Sequence, residues 1–184
     1  MKMEQTDIIS LDGIWQLRGT DPGTGKTEEV YQLARRTKRS IMMVDLSQMR
    51  SKWFGESEKR VKQVFEDYEA IRKTSLVEPI LFINEADGLL TRRIDLSASN
   101  EASDRVTNTM QNVLLQALEN FEGILIATTN LTGNLDRAYE RRFSLRLNFP
   151  RPDRHIRASI WKEKLPEQVR TVTMVRSGPR TEGV

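Results

Sequence analysis

Three unbroken apolar runs constrain the fold more than anything else in the chain: Ile41–Val44, Ile80–Ile83 and Ile124–Ala127. A strand with one wet face alternates apolar and polar residues, whereas a run that is apolar at every position must be covered on both faces. Between the runs lie stretches with helical spacing. Val61, Val64, Phe65, Tyr68 and Ile71 form one, and Val106, Met110, Val113, Leu114 and Ala117 form another. Each puts its apolar residues on a single helical face. Ser57 is placed to cap the first of these, with Glu58 in its positive first turn. Strands that alternate with helices need crossover connections, so the pattern predicts an α/β domain with a parallel sheet between helices. Ile14–Arg18 reads as a further strand of that sheet.

Composition removes several classes of chemistry. The chain has no cysteine and one histidine, His155. Disulfide scaffolds, thiolate metal sites, cysteine nucleophiles and multi-histidine metal centres are therefore excluded. No stretch approaches the ~18 apolar residues of a membrane span. Met1–Ser10 lacks the apolar run of a signal peptide, so a cytoplasmic protein with no membrane partner is expected. Basic residues outnumber acidic ones by only 29 to 26, which gives no strong case for nucleic acid as a partner. Thr91–Asp104 is polar and reads as a loop. From Pro166 onward the helical pattern stops, and Ser177-Gly178-Pro179 reads as part of a disordered tail, with Thr171–Val175 as its one short strand candidate.

The strand Ile14–Arg18 runs into Gly19-Thr20-Asp21-Pro22-Gly23-Thr24-Gly25-Lys26-Thr27 and then into a helix. A glycine-rich turn feeding a helix N-terminus presents backbone N–H groups that cradle phosphates, helped by the helix dipole. Pro22, Gly23, Thr24 and Gly25 would form that cradle. Lys26 would reach the β- and γ-phosphates, and the Thr27 hydroxyl would bind Mg²⁺. The usual pattern has glycine where Thr20 stands, and Gly19 lies one position early. Asp21 adds a carboxylate beside bound phosphates, an unfavourable arrangement that predicts weaker nucleotide affinity and a gain on replacing it with proline.

Several distant segments together resemble the AAA+ ATPases. Ile80-Leu81-Phe82-Ile83-Asn84-Glu85-Ala86-Asp87 resembles the Walker B strand. By that resemblance Glu85 activates the water that attacks the γ-phosphate. The family's preceding aspartate is here Asn84, whose amide oxygen can accept a hydrogen bond from a metal-bound water but brings no charge. Ile126-Ala127-Thr128-Thr129-Asn130 resembles the sensor 1 strand, which gives Asn130 a place beside the γ-phosphate. Leu135-Asp136-Arg137-Ala138-Tyr139-Glu140-Arg141-Arg142-Phe143 is similar to the arginine-finger segment, in which Arg141 and Arg142 would reach a neighbouring subunit's nucleotide. Ser51-Lys52-Trp53-Phe54-Gly55-Glu56-Ser57-Glu58-Lys59 resembles the pore loop and helix start of the subgroup containing katanin and spastin. In that subgroup Lys52, Trp53, Phe54 and Gly55 would line a ring pore and grip an extended polypeptide, with the aromatics offering large, sequence-tolerant contact area. Thr91–Asp104 matches the place of a second pore loop.

The resemblance covers about Gly13 to Lys164 and is closest to bacterial members of the central AAA type. It implies a three-layer P-loop NTPase fold, with a short extension over residues 1–12, a nucleotide-binding core over 13–164 and a tail over 165–184. It implies ATP and Mg²⁺ as cofactors, self-assembly into a hexameric ring, and hydrolysis of ATP coupled to threading or remodelling of a protein. The family's small helical lid has no counterpart after Lys164, so a shortened core is expected. A second reading is a nucleotide-binding module with little or no turnover, favoured by Thr20, Asp21, Asn84 and the missing lid. A third is a DNA-handling AAA+ machine, for which the pI near 9.3 is the only general encouragement, although Arg141, Arg142, Arg146, Arg151, Arg154 and Arg157 cluster late in the chain.

Overall fold

The structure, a computed structural model, describes residues 11–19, 21–45, 56–90, 102–131 and 135–165. Five strands, β1 (Gly13–Arg18), β2 (Ile41–Asp45), β3 (Ile80–Asn84), β4 (Ile124–Thr129) and β5 (Leu145–Asn148), form one parallel sheet in the order β2-β3-β4-β1-β5. The helices are α1 (Lys26–Thr37), α2 (Glu56–Thr74), α3 (Asp87–Leu90), α4 (Ala102–Glu119), α5 (Arg137–Glu140) and α6 (Arg154–Lys164). The chain divides into two compact units, Met1–Arg151 with the whole sheet and Pro152–Val184 with α6. Within the second unit, the Asp153 side chain caps α6 by accepting from the Ile156 N–H at 2.8 Å. Among the described residues no helix is long and apolar enough to cross a membrane.

The unbroken apolar runs behave as their pattern predicts, because successive side chains leave a strand on opposite faces. Ile80, Phe82, Ile124, Ile126, Trp15 and Leu17 pack with Val30 and Ala34 of α1. Leu81, Ile83, Leu125, Ala127 and Ile14 pack on the other face with Val61 and Tyr68 of α2, Met110 and Leu114 of α4, and Tyr139 of α5. Each central strand therefore supplies two cores at once. The strand order also sets the site. From β1 the chain turns back through α1 to β2 at one edge, whereas from β4 it passes over β1 to β5 at the other. β1 and β4 are adjacent, and at such a switch point the loops leaving the carboxyl ends part and open a crevice.

Three local expectations change. β5 is a strand that the unbroken apolar runs do not include: Leu145 and Leu147 alternate with Arg146 and Asn148 over only four residues, all exposed at the sheet edge. α2 begins at Glu56, which puts Ser57 inside its first turn rather than at its cap. α4 begins at Ala102, so the end of the expected Thr91–Asp104 loop is helical. Thr20, residues 91–101, the Thr171–Val175 strand candidate and the pore-loop residues Lys52, Trp53, Phe54 and Gly55 lie outside the described residues.

Tyr68 ties α2 to two strands. Its buried hydroxyl donates to the Pro79 carbonyl at 3.0 Å and accepts from the Ile124 N–H at 3.2 Å, while its ring lies 5.1 Å from Phe121. Replacing it with phenylalanine leaves both backbone groups unpaired, and should cost about 1–3 kcal/mol in chemical denaturation. Burial raises the phenol above its usual value near 10. The folded-state value is the higher one, so Tyr68's contribution is full below the ordinary range and lost as pH rises through the raised value. The Tyr68→Phe variant should therefore show a weaker alkaline loss of stability than the parent chain.

Candidate active site

The loop leaving β1 is anchored at both ends. The Gly19 N–H donates to the Thr129 carbonyl of β4 at 3.2 Å, and a Cβ at Gly19 would collide with the carbonyl of Phe149, where the chain leaves β5. The close approach of that backbone requires glycine at position 19. At the other end Gly25 caps α1 with φ 95°, a left-handed conformation that glycine adopts without steric cost. The Lys26 ammonium is buried beneath the loop, donating to the Asp21 carbonyl at 3.0 Å, Thr24 Oγ1 at 3.2 Å and the Gly19 carbonyl at 3.4 Å. These are neutral acceptors; phosphate oxygens would offer the same cation stronger, charged ones.

The carboxyl ends of β3 and β4 face this loop. Asn84 Oδ1 accepts from Thr27 Oγ1 at 3.2 Å and from Thr128 Oγ1 at 3.0 Å, which links the loop to both strands. Thr128 in turn fixes the next turn of chain. Its hydroxyl accepts from the Glu85 N–H at 3.1 Å and its carbonyl from the Ala86 N–H at 2.9 Å. Glu85 is held at φ 52°, an uncommon backbone conformation for a residue with a side chain and one that clusters at functional sites. Asp87 completes the join, accepting from Thr129 Oγ1 at 2.6 Å, the Asn130 N–H at 2.9 Å and Asn130 Nδ2 at 3.3 Å.

These elements enclose a cavity of about 240 Å³ lined by Pro22, Gly23, Thr24, Gly25, Lys26, Thr27 and Glu28 on one side, and by Asn84, Glu85, Thr128, Thr129 and Asn130 on the other. The structure thus brings together every candidate from the phosphate loop and from the ends of β3 and β4. Arg141 and Arg142 do not line this cavity. They follow α5, and their surroundings differ. Arg142 donates to Glu119 Oε1 and to the Ala138 carbonyl, both at 2.7 Å, whereas Arg141 is exposed and its side chain has no partner among the described residues.

Two further observations refine the reading of the loop. Asp21 is not an isolated charge, since Arg151 meets it with Nε at 3.4 Å from Oδ2 and Nη2 at 3.5 Å from Oδ1. Exposed pairs of this kind contribute about 0.2–1 kcal/mol. Arg151→Ala should accordingly weaken ATP binding by up to about fivefold, and in an Asp21→Pro background it should do nothing, as a fluorescent-nucleotide titration would show. Asp87, Thr128 and Thr129 escaped the sequence reading. The signal was present in two successive threonines ending a strand that is apolar up to Ala127, and in a carboxylate three positions beyond Asn84.

Fold and site together define a phosphate-loop nucleotide-binding domain of the three-layer α/β kind. The sequence pattern of the ATPase family associated with various cellular activities (AAA) matches residues 18–151, so the chain belongs to that family. Similar proteins include fidgetin-like protein 1 of Drosophila melanogaster, 37% identical over 81% of this chain and 27% of that protein. Vacuolar protein sorting-associated protein 4B of Pongo abelii is 30% identical over 88% of this chain and 36% of that protein. A chain of the E. coli MS115-1 HORMA:CdnC:Trip13 complex shares the fold, with a TM-score of 0.66 at 24% identity over 85% of this chain and 54% of that one. The chain spans 27–36% of the length of these two relatives.

Proposed function

We propose that this chain is the ATP-hydrolysing core of an AAA protein that remodels or threads a protein substrate. The observation that carries the reading is the convergence of Lys26, Thr27, Asn84, Glu85 and Asn130 on one small cavity at a topological switch point. Loop amides and Lys26 hold the phosphates, and Glu85 takes a proton from the attacking water. Asn130 lies on the far wall, where its carboxamide can touch both that water and the γ-phosphate. Positioning and electrostatics supply nearly all the catalysis in such phosphoryl transfer.

The site also suits Mg²⁺, which in this family accompanies ATP. Thr27 Oγ1 and Asn84 Oδ1, 3.2 Å apart, are hard oxygen donors, and among the described residues no cluster of three or more acidic or imidazole side chains competes for a metal. Thr27 would bind the ion directly and Asn84 through water. When bound, Mg²⁺ supplies charge neutralisation at the β- and γ-phosphates. Arg141, with Arg142 beside it, would complete the site of the next subunit in a ring, and Trp53 with Lys52, Phe54 and Gly55 would grip the polypeptide. A cytoplasmic, ring-forming machine is the setting in which these parts work together.

A second reading, nucleotide binding with little turnover, is favoured by one observation. Asn84 puts a neutral amide between two threonine hydroxyls where the family has a carboxylate. A steady-state assay separates the two. On the first reading ATP is hydrolysed only with Mg²⁺, and turnover per chain rises with protein concentration as shared sites assemble. Bound nucleotide with no turnover at any concentration would establish the second.

A further inference from the structure

We infer that Asp87 is the positioning residue that aims the Asn130 carboxamide at the attacking water and the γ-phosphate; the inference rests on the ATPase reading above. Asp87 opens α3, two residues after Glu85, and its carboxylate reaches across to the point where β4 ends. Oδ1 takes the Thr129 hydroxyl and the Asn130 N–H, which fixes the main chain at Asn130. Oδ2 takes Asn130 Nδ2, which fixes the side chain. The two oxygens thus do separate jobs.

The second contact decides which way the amide faces. A carboxamide has an N–H₂ end with two donors and an oxygen end that only accepts. Turning Asn130 over would set its oxygen against Asp87 Oδ2, acceptor against acceptor, so the carboxylate excludes that orientation. In the orientation it enforces, one Nδ2 hydrogen is used by Asp87 and the other stays available. Asn130 Oδ1 is shut away from solvent and has no hydrogen-bond partner among the described residues. With that oxygen shut in, the end of the amide left to the cavity that Asn130 lines is Nδ2, and its spare N–H is suited to the oxygen of the attacking water and to a γ-phosphate oxygen beside it. Asp87 and Thr128 then hold the two halves of the water site from opposite directions. Thr128 sets the Glu85 backbone, and Asp87 sets the Asn130 amide.

The test is a double-mutant cycle read in two ways. Asp87→Asn keeps the shape but places an amide against an amide, which frees Asn130 to turn. It should lower kcat by about 10- to 100-fold, the scale of a small misplacement in a reacting site. In an Asn130→Ala background it should lower kcat no further. The second reading of the cycle is the ratio of affinities for ATPγS and ADP, which needs no turnover. Asn130→Ala and Asp87→Asn should both reduce that ratio, while Thr129→Val, which spares the contact with Nδ2, should leave it in place. A ratio changed by Asn130→Ala but untouched by Asp87→Asn overturns the inference and leaves the ATPase reading standing. A kcat loss that adds in full on top of Asn130→Ala does the same. A ratio untouched by Asn130→Ala itself, in a chain without turnover, overturns the ATPase reading and the inference with it. Should Asp87→Asn fail to fold, Asp87→Glu moves the carboxylate by one methylene and is scored by the same ratio: a lowered ratio supports the inference, an unchanged one overturns it.

Discussion

Replacing Glu85 with glutamine is expected to lower ATP turnover by about 10²–10⁴-fold while ATP still binds. The amide has nearly the size of the carboxylate but cannot accept a proton from water. Nothing else in the site should move. Glu85 is held through its backbone, by the bond from its N–H to Thr128 and by the following bond from Ala86, and neither involves the side chain. Nucleotide would be held by Lys26 and the loop, which line the opposite wall of the cavity. The variant should therefore come through gel filtration with unhydrolysed ATP. Single-turnover measurement with labelled ATP gives the size of the effect, and a variant that hydrolyses at the parent rate would remove Glu85 from the chemistry.

How far the sequence reveals such a site depends on whether its parts are local. The phosphate loop is local: glycines, Lys26 and Thr27 stand side by side, and the conformation each needs follows from its own chemistry. The central strands were legible for a similar reason, since burial on both faces leaves an unbroken apolar run. β5 was not, because the alternation in Leu145-Arg146-Leu147-Asn148 lasts only four residues and none of them is buried at the sheet edge. The role of Asp87 was hidden for another reason. Its partners Thr129 and Asn130 lie more than forty positions away and meet it only because β3 and β4 are neighbours in the sheet. The unfavourable charge expected at Asp21 is likewise softened by Arg151, 130 positions distant. Motifs report which residue types are present, and the sheet order decides which of them touch.

Arg141 and Arg142 show the same limit most sharply, and they carry the second large prediction. Side by side in the sequence they are equivalent candidates for a finger supplied to a neighbour. The fold separates them. Tyr139 and Phe143 are buried, and the Tyr139 hydroxyl donates to the Gln111 carbonyl of α4, which pins the segment from both sides. Arg142 is then drawn back onto Glu119 and the Ala138 carbonyl, and Arg141 is left pointing outward. Removing Arg141 should cost about 10³–10⁵ in turnover, with thermal stability and nucleotide affinity unchanged. Removing Arg142 should instead lower the thermal midpoint, because it breaks contacts within the domain. If the finger acts in trans, Arg141→Ala lacks a finger but keeps a sound water site, and Glu85→Gln lacks the water site but keeps its finger. Mixing the two inactive variants should then restore turnover at interfaces where an Arg141→Ala site meets a Glu85→Gln neighbour. Absence of any recovery in mixtures that demonstrably co-assemble would place Arg141 outside the shared site.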